Sequence, residues 1–393
     1  MGGGRKPNKK TCFPPLWQLC KEGQLAMLRT VVAKREDVNS RDEKNRTTLI
    51  WAVGLGHNSI VRLLLKQPRI DVNVKEDQCG MTALARAAIE GNVEIVQLLL
   101  TTKSLNVNSA GKDGEFALTL AAHRGHFSVM KLLLSDGRVN VNQTVKSGHT
   151  ALTVAAGYGH IGITELLLSE KRVDVNHCDD QGYTALMIAA HYGHIKVVEQ
   201  LLKDQRVDVN QSEKNGSSAL IVAAHESHSA VVELLLSEKR VDVNHCDDNE
   251  YTALMVAAQY GHIKIVEQLL KDQRVDVNQN NDFGNSALIL AASNGHASVV
   301  QLFLNDTRVN VNSTGNQGTA FMAADKMGHQ TVVQLLLSDE RVNTNLKDVG
   351  EAHGEPVEGA VVTKKESCCW NCNTPDHDLE LMKCKGCLRV RFF

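Results

Sequence analysis

The chain has 393 residues, a formal net charge of −2, 42% hydrophobic residues and only 4% aromatic ones. The near-neutral balance excludes a global basic field that would draw nucleic acid or an anionic membrane, and the sequence has no run of about 20 apolar residues to span a bilayer. A core rich in Ala and Leu with few large rings points to small helices packed closely.

In chain order, residues 1–12 form a basic, polar segment expected to be disordered. No apolar stretch follows it, so it does not read as a secretory signal. Gly2 lacks a myristoylation context, because Lys6 stands where Ser or Thr is needed. The expected location is the cytoplasm, with the nucleus also open.

From 13 to 348 the chain is periodic. Leu84, Leu118, Leu152, Leu186, Leu220, Leu254 and Leu288 lie 34 residues apart. Each opens a phrase close to Leu-x-x-Ala-Ala-x-x-Gly-His, with Asn92 in place of the His in one unit and Ser227 in place of the Gly in another. Leu49 lies 35 residues before the series and Phe321 lies 33 after it. A fixed period of this size marks a stacked repeat array. The prediction is an all-α solenoid of about ten helix-turn-helix units, opening near Leu16 with a degenerate unit. It closes on a unit with Asp325 where the second small Ala belongs, and atypical ends are expected of units that cap a stack.

The unit from Asp179 to Asn210 shows the design. Thr184 is placed to cap a first helix with its hydroxyl, and Leu186, Ile188, Ala189 and Ala190 form that helix's buried face. Gly193 ends it in a left-handed conformation. His194 starts a second helix, in which Val197, Val198, Leu201 and Leu202 recur at amphipathic spacing. Arg206 to Asn210 then runs extended into the next turn. Eight of the nine cap positions from Thr47 to Thr319 hold Thr or Ser, Phe116 being the exception. Arg172 to Asn210 nearly recurs as Arg240 to Asn278, the mark of a two-unit duplication.

Helix, turn, helix and extended loop at this period resemble the ankyrin repeat over about residues 13–348. The family's Thr-Pro-Leu-His becomes Thr-Ala-Leu-x here. The loop typified by Ser169 to Asp174 is one residue longer than usual, which accounts for a period of 34. The resemblance implies a concave groove lined by the residues five and six positions after each leading Leu. That row runs from Lys21 and Glu22 to Lys326 and Met327. Three of the five tyrosines, Tyr158, Tyr192 and Tyr260, fall in it, beside His191 and His225. The other two, Tyr183 and Tyr251, fall in the adjoining hairpin turns. Exposed aromatic anchors are what binding hot spots are made of, so these seven residues are the expected partner-binding set.

Other clusters read as structure. Eight His residues, from His57 to His329, recur in one slot at the start of second helices, too far apart to share a metal ion. His177-Cys178-Asp179-Asp180 and its copy at His245 to Asp248 read as solvated turns. In His225-Glu226-Ser227-His228 the spacing is one residue short of a zinc-protease motif, so the two His do not share a helix face. The loop asparagines from Asn39 to Asn345 are expected to bond locally to their own backbone. Resemblance to ankyrin loops adds a second expectation for them, as substrates for an asparaginyl hydroxylase. No phosphate loop or nucleophile elbow appears, and no enzyme is expected.

Periodicity stops after Asp348. Residues 349–366 read as a linker, and 367–393 hold two Cys-x-x-Cys knuckles, Cys369 with Cys372 and Cys384 with Cys387. Paired knuckles are a zinc signal, whereas Cys12, Cys20, Cys79, Cys178 and Cys246, scattered elsewhere, read as free thiols. The tail resembles the first half of a MYND-type zinc finger, a protein-interaction module. The sequence ends at Phe393, where that family continues into further ligands that complete two interleaved sites. One zinc on all four thiolates and a metal-free stub both remain open. The expected function is a non-enzymatic scaffold or adaptor for a protein partner, without nucleic acid, membrane or small-molecule substrate. The alternative is a regulatory or substrate-recruiting subunit of a ubiquitin ligase or methyltransferase complex.

Overall fold

The computed structural model describes residues 14–33 and 37–344. The basic start, Asn345, the linker and the tail with Cys369, Cys372, Cys384 and Cys387 lie outside the described residues. The chain divides into the units Met1–Asp348 and Val349–Phe393, and every described residue belongs to the first.

Among the described residues ten helix pairs follow one another. They begin with α1 (Leu16–Lys21) and α2 (Leu25–Ala33), α3 (Thr48–Gly54) and α4 (Asn58–Leu65), and α5 (Ala83–Glu90) and α6 (Val93–Leu100). Next come α7 (Ala117–Arg124) and α8 (Phe127–Ser135), α9 (Ala151–Gly157) and α10 (Ile161–Ser169), and α11 (Ala185–His191) and α12 (Ile195–Lys203). Then follow α13 (Ala219–His225) and α14 (Ser229–Ser237), and α15 (Ala253–Gln259) and α16 (Ile263–Lys271). The array closes on α17 (Ala287–Ser293) and α18 (Ala297–Asn305), and α19 (Ala320–Lys326) and α20 (Gln330–Leu337). Each first helix packs on the first helices of its neighbours and on its own second helix, and second helices pack on second helices. This is the ten-unit helical solenoid that the period predicts.

Seven of the eight expected Thr or Ser caps bond as expected. The Thr184 hydroxyl accepts from Met187 N at 3.3 Å, and Thr47, Thr82, Thr150, Thr252, Ser286 and Thr319 do the same in their units. Ser218 makes no such bond. Phe116 has no hydroxyl, and Thr119 supplies one from inside α7, accepting from Phe116 N at 3.2 Å and donating to Phe116 O at 3.0 Å. The Phe116 ring is itself buried.

The buried face of α11 is wider than expected. Ala185 and Met187 join Leu186, Ile188, Ala189 and Ala190, because a first helix has neighbours on both sides and a partner behind. Each alanine lets a neighbouring backbone come close at interior packing density, and burying Leu186 stabilises by roughly 1.5–3 kcal/mol. Phe321 stays half-exposed, because among the described residues α19 has a first helix on one side only. The last unit closes its turn with a short antiparallel pair, β1 (Thr314–Gly315) and β2 (Gly318–Thr319). Four other units carry one isolated bridge beside their cap, such as Cys246 with Thr252. Pairs this short leave no alternating pattern in a sequence.

Three hydrogen-bond ladders join the units. The first corrects the expectation of local asparagine bonding. Asn176 Nδ2 donates to Arg206 O at 2.8 Å and Asn176 Oδ1 accepts from Asp208 N at 2.8 Å, both in the next unit. Asn39, Asn73, Asn108, Asn142, Asn210, Asn244, Asn278 and Asn312 repeat this double bond. A side-chain amide has one donor group and one acceptor, and the next loop presents a carbonyl and an N–H at the matching spacing.

The second ladder runs backwards. Arg206 Nη2 donates to Leu168 O, in the last turn of α10, at 2.6 Å. Asp204 steadies the guanidinium at 2.7 Å and is in turn held below the usual carboxylate range by that hydrogen bond. Arg138, Arg172, Arg240, Arg274, Arg308 and Arg341 reach back in the same way. A cation on the unpaired carbonyls at a helix C-terminus is favourable.

The third ladder explains the His slot. His194 makes no side-chain cap to its own helix. Its Nε2 instead bonds Gly157 O of the preceding unit at 2.9 Å, and the other six from His126 to His329 do likewise. Six of the seven rings rest on the glycine that follows the preceding first helix. A Cβ on Gly193, whose φ is +69°, would stand 2.7 Å from His228 Nδ1. Where Ser227 replaces that glycine it keeps a φ of +62°, and the bond across it, His262 Nε2 to His225 O, is the longest of the seven at 3.2 Å.

Candidate functional site

The expected groove row is exposed at one of its two offsets. Six positions after each leading Leu, Leu55, Tyr158, Tyr192, Tyr260 and Met327 are 39–61% exposed. Five positions after, Lys21, Gly54 and Lys326 towards the two ends are exposed as expected, but the expectation fails between them: His123, His191, His225 and Gln259 are half-buried and Ser293 is buried. The cause is packing against rings and neighbouring units. His123 meets Tyr158 edge-on with centroids 4.4 Å apart, and His225 meets Tyr260 at 5.0 Å. His191 meets Tyr192 in its own unit at 4.8 Å. Burial, followed by the nearby charges of Arg124 and His160, pushes His123 down to about 4.

Each tyrosine is also stacked on the His that opens the second helix. Tyr158 lies over His160 at 6.1 Å, Tyr192 over His194 at 6.1 Å and Tyr260 over His262 at 6.0 Å. Each ring is thus held by two imidazoles, one perpendicular and one stacked, while part of it meets water. Side chains fixed in this way lose little freedom on binding.

Tyr183 and Tyr251 sit half-buried in the hairpin turns. Asp179 Oδ1 accepts from Gln181 N and Tyr183 N, both at 2.9 Å. Asp247 repeats this with Asn249 N at 2.9 Å and Tyr251 N at 2.8 Å. His177 and His245 bond Gly148 O and Gly216 O of the preceding turns at 3.0 and 2.8 Å. The expectation of solvated turns is therefore corrected for these residues: Asp247 is 5% exposed, because its carboxylate is needed inside to close the turn. Cys178 is exposed and is a free thiol, as are Cys20, Cys79 and Cys246.

At the C-terminal end of the row lies a cleft of about 390 Å³. Tyr251, Phe283, Gln259, Asn294, Gln317 and Met327 are among the residues that line it. Phe283 is 52% exposed at a hairpin tip. Sequence reasoning passed over it, although an aromatic residue between Asp282 and Gly284 in a polar turn is a visible signal.

Between Tyr158 and Tyr260 one unit lacks the tyrosine. Glu226 occupies the place of Tyr192 and Tyr260, with His225 Nδ1 at 2.9 Å and His191 Nδ1 at 3.5 Å from its Oε1. Burial raises the Glu226 pKa, but the His225 hydrogen bond and the nearby imidazoles outweigh it and hold the carboxyl below its ordinary value. Burial likewise holds His191 below its ordinary value, against the pull of Glu226. His225 ends α13 and His228 precedes α14, with left-handed Ser227 between them, so the two His do not share a helix face. Among the described residues no group of three or more His, Cys, Asp or Glu is arranged to hold a metal ion. No described helix is long and apolar enough to cross a membrane.

Comparison with known proteins agrees with this architecture. The family model described as ankyrin repeats (3 copies) matches six overlapping stretches that together run from residue 4 to residue 348. The chain belongs to the ankyrin-repeat family, whose arrays imply protein partners. Similar curated proteins include BTB/POZ domain-containing protein 1 of Schizosaccharomyces pombe, 45% identical over 64 residues, which are 16% of this chain and 5% of that protein. Osteoclast-stimulating factor 1 of Bos taurus is 41% identical over 59 residues, 15% of this chain and 28% of its own length. Inversin of Danio rerio is 42% identical over 60 residues, 15% of this chain and 6% of its own length. The matched stretches span less than a third of any of these relatives.

Proposed function

We propose that this chain is a non-enzymatic scaffold that holds a protein partner along its groove. Tyr158, Tyr192 and Tyr260 serve as the anchors, with His191 and His225 behind them and Tyr183 and Tyr251 beside them. The observation that carries this reading is the three exposed rings, each held by one perpendicular and one stacked imidazole. Their separations, 34 residues from Tyr158 to Tyr192 and 68 from there to Tyr260, put them on one line of the array. Rigid aromatic side chains with exposed faces are the usual centres of binding energy, and the cleft beside Phe283 and Met327 extends the line.

The test is to change Tyr158, Tyr192 and Tyr260 together to Ala and compare the proteins captured by full-length wild type and variant. The expected result is loss of the captured partner with the melting temperature nearly unchanged. Unchanged capture, or a collapse of stability, would show that the rings are not the anchors.

A further inference from the structure

Unit seven breaks the tyrosine row at two adjacent positions. Glu226 stands 34 residues after Tyr192 and 34 before Tyr260, and the next residue, Ser227, holds the left-handed conformation that glycine adopts in the neighbouring units. A non-glycine residue there costs on the order of 1 kcal/mol, and strain of that kind collects at functional positions.

The carboxylate is fixed in place. Two imidazoles, His225 of its own unit and His191 of the unit before, approach the same oxygen, Oε1, at 2.9 and 3.5 Å, and so hold the carboxylate in place. His191 packs against Tyr192 and His225 against Tyr260, which yields a continuous array of Tyr192, His191, Glu226, His225 and Tyr260. Among the described residues the ion pairs of Glu226 are with the imidazoles of His191 and His225, and no Lys or Arg is paired with it. The side chain is 34% exposed, open to an incoming group yet partly withdrawn from water, where attraction is less screened. Tyr192 and Tyr260, exposed in the units before and after, are aromatic rings of the kind that attract a cation.

We propose that the partner held along the groove presents a cationic side chain, Lys or Arg, to Glu226 between Tyr192 and Tyr260. This rests on the groove reading and adds the chemistry of the partner: a segment with a basic residue flanked by apolar ones.

A random 12-residue peptide library displayed on phage, selected against the immobilised full chain, tests it. The expected consensus has Lys or Arg at one fixed position with apolar neighbours. Glu226→Gln is expected to weaken a selected peptide roughly tenfold, the scale of one charge-assisted hydrogen bond. Replacing the peptide's basic residue with Gln should cost nothing further in that variant. A selection without a basic consensus, or peptides that bind Glu226→Gln unchanged, overturns the proposal. The variant with both Tyr192 and Tyr260 changed to Ala separates the two readings. If it loses the peptides while Glu226→Gln keeps them, the groove stands and the cation site falls. If both variants bind as wild type does, the groove reading falls as well.

Discussion

Within a single unit, Asn210 at the loop edge and Tyr192 at the groove edge have opposite fates. Asn210 bonds Arg240 O and Asp242 N, both in the next unit, at 2.8 Å. Tyr192 packs on His191 and His194 and still leaves 39% of itself in water. The difference teaches where substitutions register. Polar groups at the loop edge are consumed in holding neighbours together, whereas the groove edge carries surface that stacking does not use. Changes at the first should therefore be read in stability and changes at the second in binding.

The largest effect expected on the stacking side is from Gly193→Ala. Its φ of +69° and a Cβ 2.7 Å from the His228 ring make strain and displacement unavoidable. A loss of roughly 2–3 kcal/mol should appear as a lower urea midpoint, and a midpoint equal to wild type would show that the His ladder does not hold the units. Asn210→Ala should cost about 1–2 kcal/mol, because it strands one carbonyl and one N–H of the following unit. Amide exchange should rise first at the Arg240 to Asp242 segment, and uniform exchange along the array would break the comparison.

The last effect concerns acid. His123 is pushed down to about 4 in the folded chain against an ordinary value near 6.5. Below 6.5 the unfolded chain binds the proton more readily, so the stability contributed by this group is complete above 6.5 and is lost as pH falls toward 4. His123→Phe keeps a ring against Tyr158 without a titrating group. It should flatten part of the fall in urea midpoint between pH 7 and 4.5, and an equally steep fall would remove His123 from the account.

Much of this was legible in the chain. The period placed ten units, the hydroxyl residues marked helix starts, and the Val and Leu spacing in α12 gave its buried face. The tyrosines could be placed on one row for the same reason: position within a repeat fixes direction. The exposure of the offset-five residues could not be read, because it depends on which ring of which unit lies against them. The asparagines were assigned to their own loops because a sequence shows local neighbours only. Their partners, such as Asn176 to Arg206 and Asp208, are 30 and 32 residues away.

By itself the sequence determined the repeat, the helices and the row on which exposed side chains fall, since these follow from periodicity and local backbone preference. Only the tertiary structure decided what each polar side chain is for. Stacking brings residues one period apart within hydrogen-bonding distance, so the same His, Asn or Glu is a tie or a free charge according to what the next unit sets opposite it.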